Sequence, residues 1–159
     1  GGVSVGDYDF VQDVIKDKLK AEVLFHGVNL KPGMHILLAL KDNKIIVALP
    51  GFAYSSTVCA MLYVLPLIYK FRNSNEKLPL VKARINQDFS RFQAKTIFTA
   101  CNVEYKNGEY QINFDGKKSG TSAILTNMLE SPALLIQKEN SKNIKAGDLV
   151  DILLLNNLK

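Results

Sequence analysis

The chain is expected to fold as an α/β fragment followed by a small all-β barrel or sandwich, and three observations point there. Helix-like and strand-like periods alternate through the first half, which is the pattern of the tail of an α/β domain. The composition then changes across the polar segment 73–79, which ends in Leu78-Pro79. Beyond it, short strand-like runs separated by turn signals dominate. The boundary is placed at 77/78, giving domains 1–77 and 78–159. A length of 159 residues with 47% hydrophobic residues suffices for one ordinary domain or two small ones.

In the first half, Asp9 is the expected cap of a helix beginning near Phe10, with Phe10, Val14, Ile15 and Leu19 as its apolar stripe. Lys16, Lys18 and Lys20 would oppose the negative end of its dipole. Val23–Phe25 reads as a strand, and His26 to Gly33 as a connection. Strands at Ile36–Leu40 and Lys44–Leu49 follow, joined by the polar turn Lys41-Asp42-Asn43. After Pro50-Gly51, a helix from about Ser56 to Phe71, capped by Ser55 or Ser56, is apolar on nearly all sides. Such a helix belongs in a sheet-covering layer or an oligomer interface. Pro66 should kink it or mark its restart.

In the second half, Val81–Ile85 and Ala94–Val103 read as strands, the latter running on toward Tyr105. Tyr110, Ile112 and Phe114 show the two-residue period of a half-buried strand, and Asn107-Gly108 before them is a tight-turn signal. Ala133–Gln137 and Leu149–Leu155, the last preceded by the Gly147-Asp148 turn, complete the set.

The net charge of +5 is spread along the chain and suits an anionic small molecule or plain solubility. No Arg-rich stripe or Cys/His finger spacing supports a nucleic-acid reader, so no nucleic-acid partner is expected. Cys59 and Cys101 sit in apolar surroundings as buried thiols of a reducing compartment, and with His26 and His35 they complete no zinc site. The most apolar run, 58–68, is short for a membrane span and contains Pro66. With no secretion signal at the amino terminus, the expectation is a cytoplasmic protein without a membrane partner.

Three turns place flexible backbone beside polar groups. The first, Gly1-Gly2-Val3-Ser4-Val5-Gly6-Asp7-Tyr8-Asp9, precedes a helix start. Its amides suit phosphate, while Asp7 or Asp9 suits a hydroxyl or Mg²⁺. A capped turn with a solvated Asp7 is the plain alternative. In the second, Leu30-Lys31-Pro32-Gly33, Lys31 stands beside a rigid corner as a point charge for a phosphate, sulfur or oxyanion, or is simply exposed. The third, Pro50-Gly51-Phe52-Ala53-Tyr54-Ser55-Ser56, lies where a strand ends and a hydroxyl-rich helix begins, a place where ligands of open α/β sheets gather. No Ser-His-Asp or Cys-His arrangement emerges, since His26 and Cys59 have no orienting partner that sequence identifies. Arg84, Arg91 and Lys95 form a loose positive set, and residues 117–122 a basic turn; both read as a solvated rim or an anion contact.

Taken in order, these turns resemble the molybdopterin molybdenumtransferase family, the molybdenum insertases of the MoeA and gephyrin carboxy-terminal type. Gly1 to Asp9 is nearly a signature of that family. Phe25-His26-Gly27-Val28, Leu30-Lys31-Pro32-Gly33, Leu49-Pro50-Gly51 and the terminal Ala146-Gly147-Asp148-Leu149-Val150 follow in the family order. The resemblance implies that the first domain is the carboxy-terminal part of the molybdopterin-binding α/β domain, and that the second is the family's β-barrel domain. It further implies an anionic substrate, adenylylated molybdopterin, into which molybdate is inserted with Mg²⁺ and release of AMP, by a homodimer. On this resemblance Asp7 and Lys31 are the catalytic residues, with Asp7 the metal ligand. Gly1, Gly2, Ser4, Gly6, Pro50, Gly51, Ser55 and Thr121 bind the cofactor substrate.

The third turn departs from the family pattern, with Phe52 and Ala53 where relatives have Asn and Pro. Phe offers no hydrogen bond in place of an amide. Met34 and His35 replace a Lys-Pro pair, Ala94 an Arg and Thr121 a Ser. The chain is expected to be truncated at its amino terminus and inactive alone, with an exposed parallel-sheet edge that favours dimerisation or domain swapping. The alternative is a noncatalytic scaffold or protein-interaction module.

Overall fold

The computed structural model describes residues 3, 9–90, 94–117, 125–129, 132–141 and 143–155. Two compact units divide the chain, Gly1–Asn75 and Glu76–Lys159.

The first unit begins with a short helix, α1 (Val11–Asp13), extended by the wider turns of Val14–Lys18. Asp9 is not its cap: the cap position is Phe10, with no side-chain cap bond. The expected stripe is corrected as well. Ile15 alone is buried, at 3% exposure, while Phe10, Val14 and Leu19 are exposed. The Leu19 amide bonds the Val14 carbonyl five residues back, and that widened turn shifts positions off the regular helical stripe.

Strands β1 (Glu22–His26), β3 (Leu37–Lys41) and β4 (Lys44–Ala48) form a three-stranded sheet in the order β1-β3-β4. Every pairing in it is antiparallel, so the parallel edge expected from the resemblance is absent from these described strands. The β3–β4 hairpin turns on Asp42 and Asn43, both at positive φ, where Asx residues are tolerated. Between β1 and β3 lies the two-residue β2 (Leu30–Lys31). The core of this unit gathers Val3, Ile15, Ala21, Leu37 and Ala39.

A continuous helix, Ala53–Phe71, closes the unit: α2 (Ala53–Cys59), a widened turn Ala60–Val64, and α3 (Leu65–Phe71). Its start is three residues earlier than the sequence suggests, because the Ser56 amide bonds the Phe52 carbonyl. Ser55 and Ser56 therefore lie inside the first turn rather than capping it. Pro66 does mark a restart, standing in the first positions of α3 directly after the widened turn. A proline has no N–H to give and crowds the carbonyl four residues back, and a wide turn relieves both. At 19 residues the helix has the length and composition to cross a bilayer, longer than the 58–68 run suggests. Its first two turns bury Tyr54, Ser55, Val58 and Cys59 as a core helix does.

The second unit is a closed five-stranded barrel. Its strands are β5 (Leu80–Ile85), β6 (Thr96–Lys106), β7 (Glu109–Asn113), β8 (Pro132–Gln137) and β9 (Leu149–Leu154). The order runs β6-β7-β5-β9-β8 and returns to β6. All pairings are antiparallel except β5 with β7. Ala83, Ile85, Cys101, Ile112, Leu135 and Ile152 fill the interior. Closure removes the strand edges that an open sheet would offer to other chains.

Outside the barrel, Asp88 ties two loops by accepting from Lys145 Nζ at 2.7 Å and the Ala146 amide at 2.9 Å. Arg84 bonds both Glu109 oxygens at 3.1 Å and the Gly147 carbonyl at 2.7 Å. It is thus committed to the barrel wall and does not stand free for an anion. Arg91 lies outside the described residues. Lys117 likewise donates to the Leu129 carbonyl at 2.8 Å.

Candidate functional site

The second and third turns meet. Gly33 adopts φ +105°, a conformation that a side chain resists, and a Cβ there would overlap Cys59 Sγ and touch the Ser55 carbonyl oxygen at 3.5 Å. Only glycine lets the backbone approach α2 this closely. The Cys59 thiol donates to the Gly33 carbonyl at 3.4 Å. Burial pushes that thiol up to about 11, so it stays protonated and able to donate. Pro32 and Gly33 are buried while Lys31 is exposed. Two residues from the contact, the Lys31 Cα lies within about 7 Å of the Gly33 Cα, given the reach of a chain.

The loop is also held from its other side. Gly27 donates to Ile36 O at 2.8 Å and Val28 to Met34 O at 2.9 Å, so the segment from His26 to Ile36 folds back on itself. His26 Nε2 lies 3.0 Å from the Val3 carbonyl oxygen. Val3 is 1% exposed within the core of this unit. The first turn is thereby tied to the second at Val3.

The third turn supplies a helix start without a side-chain cap. Phe52 occupies the cap position in extended conformation and has no side-chain cap bond. The first amides of a helix have no partner within it, and together with the positive end of the dipole they favour an anion. Ser55, at 3% exposure, stands in that first turn, and Gly51 and Phe52 before it are exposed.

Of the sequence-predicted residues, Lys31, Pro50, Gly51 and Ser55 are described, all in the first unit. The Cys59 thiol on the Gly33 carbonyl links the turn of Lys31 to the helix that carries Ser55. Gly1, Gly2, Ser4, Gly6, Asp7 and Thr121 lie outside the described residues. Cys59 and His26, to which the sequence assigned no role, hold the turns together. Their partners are main-chain carbonyls, which leave no mark in a side-chain pattern. Among the described residues no three His, Cys, Asp or Glu side chains gather as a metal site. A separate cavity of about 480 Å³ lies on the second unit, lined by Asn102, Glu104, Asn113, Asp115 and Lys117 among others.

Residues 1–70 match the family described as "Probable molybdopterin binding domain". Among relatives, the molybdopterin molybdenumtransferase of Staphylococcus epidermidis ATCC 35984 is 29% identical over 156 residues, 97% of this chain and 36% of the relative. That of Staphylococcus aureus Mu50 is 30% identical over the same span. The fold is that of a molybdopterin biosynthesis MoeA protein from Pyrococcus horikoshii, with TM-score 0.70 and 22% identity over 95% of this chain and 35% of that one. A molybdenum cofactor biosynthesis protein from Pyrococcus furiosus gives 0.61 and 21% over 84% and 45%. Over nearly its whole length the chain is thus similar to part of a molybdopterin molybdenumtransferase. It spans just over a third of the length of those Staphylococcus relatives.

Proposed function

We propose that this chain forms part of a molybdopterin molybdenumtransferase acting in molybdenum cofactor biosynthesis. In the complete enzyme the reaction inserts molybdate into adenylylated molybdopterin and releases AMP. The observation that carries this reading is the seating of the Gly33 turn on the first turns of α2. It sets a lysine-bearing loop beside an uncapped helix start. Lys31 supplies a mobile positive charge, the helix amides supply fixed donors, and Ser55 a hydroxyl. Such a set holds and orients an oxyanion. In this reading Gly1, Gly2, Ser4, Gly6, Pro50, Gly51 and Thr121 are substrate-binding residues through the resemblance alone.

Asp7 with Mg²⁺ belongs to this reading through the resemblance alone. The described residues gather no carboxylate, imidazole and thiol set for a metal, so no step is assigned to one. Phe52 contributes an apolar ring at the cap position and is 62% exposed, which weakens the grip on an anion there. The isolated chain is therefore proposed to bind without turnover, in the cytoplasm. Domains 1–77 and 78–159 are read as the end of the molybdopterin-binding domain and the carboxy-terminal barrel.

A second reading, a noncatalytic interaction module or homodimer, is favoured by one observation. Phe52, Ile68 and Phe71 along the apolar helix are 62%, 43% and 70% exposed. An apolar helix left this open is a surface for association. Light scattering at high concentration should then give twice the chain mass, and a monomeric mass rejects self-association.

Calorimetric titration of adenylylated molybdopterin tests the first reading. Saturable binding is expected, weakened at least tenfold by Lys31→Ala. A chain that binds nothing, or a K31A chain that binds equally well, rejects the site.

A further inference from the structure

We propose that the second unit carries a binding site for a neutral, hydroxyl-rich ligand of hexose size, between the β6–β7 hairpin and the short helical turn Leu125–Met128. The site shares no residue with the one proposed above.

The register of the hairpin sorts its side chains by face. Val103 and Ile112 oppose each other on the inner face, against the barrel core. Asn102 and Asn113 oppose each other on the outer face, with Glu104 two positions along. There Asn102 Nδ2 donates to Asn113 Oδ1 at 2.8 Å and to the Asp115 carbonyl at 2.9 Å. The Asp115 amide in turn donates to Asn113 Oδ1 at 3.1 Å. A carbonyl only accepts and a main-chain N–H only donates, so neither side-chain amide can be turned over. Both hydrogens of Asn102 are engaged, which leaves its Oδ1 to accept. Asn113 Oδ1 holds two donors, which leaves its NH₂ to donate. Neither remaining group has a partner among the described residues.

The two amides line a cavity of about 480 Å³, a volume within the range of small-ligand pockets. Lys117 Nζ joins its walls by donating to the Leu129 carbonyl at 2.8 Å. The lining adds the carboxylates of Glu104 and Asp115 and the Thr126 hydroxyl. None of these three side chains has a hydrogen-bond partner among the described residues. Carboxylates on two sides disfavour phosphate or any other anion. An amine would meet the carboxylates but leave the Asn113 donor unmatched, and an apolar ligand would take water from every group without replacing it. A hydroxyl both donates and accepts. A ring bearing several hydroxyls therefore answers a fixed acceptor, a fixed donor and the carboxylates together.

Asn113→Asp isolates the claim, because the new carboxylate keeps both accepted bonds and replaces only the free NH₂ with an acceptor. Glu104→Gln, an exposed position outside that locked pair, is the second variant. Glucose, galactose and mannose are titrated separately into the full chain while the side-chain amide NMR signals of Asn102 and Asn113 are followed. At least one hexose should shift both signals saturably, and inorganic phosphate should shift neither. In N113D the affinity for that hexose, read from the Asn102 signal, should fall about tenfold, as loss of one hydrogen bond allows. The melting temperature should not fall with it. E104Q should weaken the same hexose about threefold or more, since a charged acceptor becomes a neutral one. Signals that no hexose moves, or that phosphate moves instead, overturn the site. A hexose that binds both variants as well as the parent overturns the assignment of these groups to it.

Discussion

Gly33→Ala is the most telling perturbation of the first unit. The residue sits at φ +105°, and a Cβ built there overlaps Cys59 Sγ while approaching Leu30 Cδ1 at 3.3 Å. Two costs follow. A non-glycine residue in this backbone region pays about 1–3 kcal/mol. Forcing a methyl group into packed surroundings adds about 1–3 kcal/mol. Together they predict a loss of about 2–6 kcal/mol from the first unit, a large share of a small unit's stability. The two costs separate in a double-mutant cycle with Cys59→Ala, which removes the sulfur that the new methyl meets. The pair should recover about 1–2 kcal/mol of the overlap and none of the backbone cost. Urea unfolding of the four proteins measures this, with native-state hydrogen exchange assigning the loss to the first unit. A G33A penalty below about 0.5 kcal/mol, or strictly additive single variants, would refute the close approach of the Lys31 loop to α2.

Acid should weaken the barrel through two carboxylates. The side-chain hydrogen bond from Lys145, then the Ala146 amide, holds the Asp88 carboxyl below its ordinary value of 3.8. The side-chain hydrogen bond from Arg84 does the same for Glu109, below 4.5. Folded values below unfolded ones mean stability that is present above the unfolded values and lost as pH falls through the folded ones. Urea midpoints should therefore drop as pH is lowered from about 5 toward 2, and Asp88→Asn with Glu109→Gln should flatten that profile. An unchanged slope in the double variant refutes the assignment. Both cysteines should resist alkylation at pH 8, because burial raises Cys59 to about 11 and Cys101 to about 12. Counting modified thiols by mass in buffer and in denaturant checks this. Prompt labelling of Cys59 in buffer would contradict its seat against Gly33.

Much of the architecture was legible in the chain itself. Short apolar runs marked β3, β4 and β9, and the two-residue period of Tyr110, Ile112 and Phe114 marked β7. Asp42-Asn43 and Asn107-Gly108 marked their hairpins, because few residues tolerate positive φ. Pro66 announced the break in the long helix, a local steric fact. The ordered glycine turns carried the family likeness and, through it, the candidate residues Lys31, Pro50, Gly51 and Ser55. These are properties of neighbouring residues, so they are written locally.

Other features depended on what lies across space. The widened turn after α1 buries Ile15 while Phe10, Val14 and Leu19 stay open, because that turn and the packing of Val3 decide which face meets the sheet. Asp9 and Ser56 look like caps, but the hydrogen bonds actually formed set where each helix begins. Arg84 looks like a free cation until Glu109, 25 residues away, is placed against it. The roles of His26 and Cys59 also emerge only in three dimensions. Each bonds a main-chain carbonyl far along the chain, and a carbonyl is present at every residue, so no pattern of side chains distinguishes the one that is used. The sequence by itself determined most of the elements, the hairpin turns and the family likeness; the tertiary structure decided which turns meet, because that depends on contacts between residues that the chain keeps far apart.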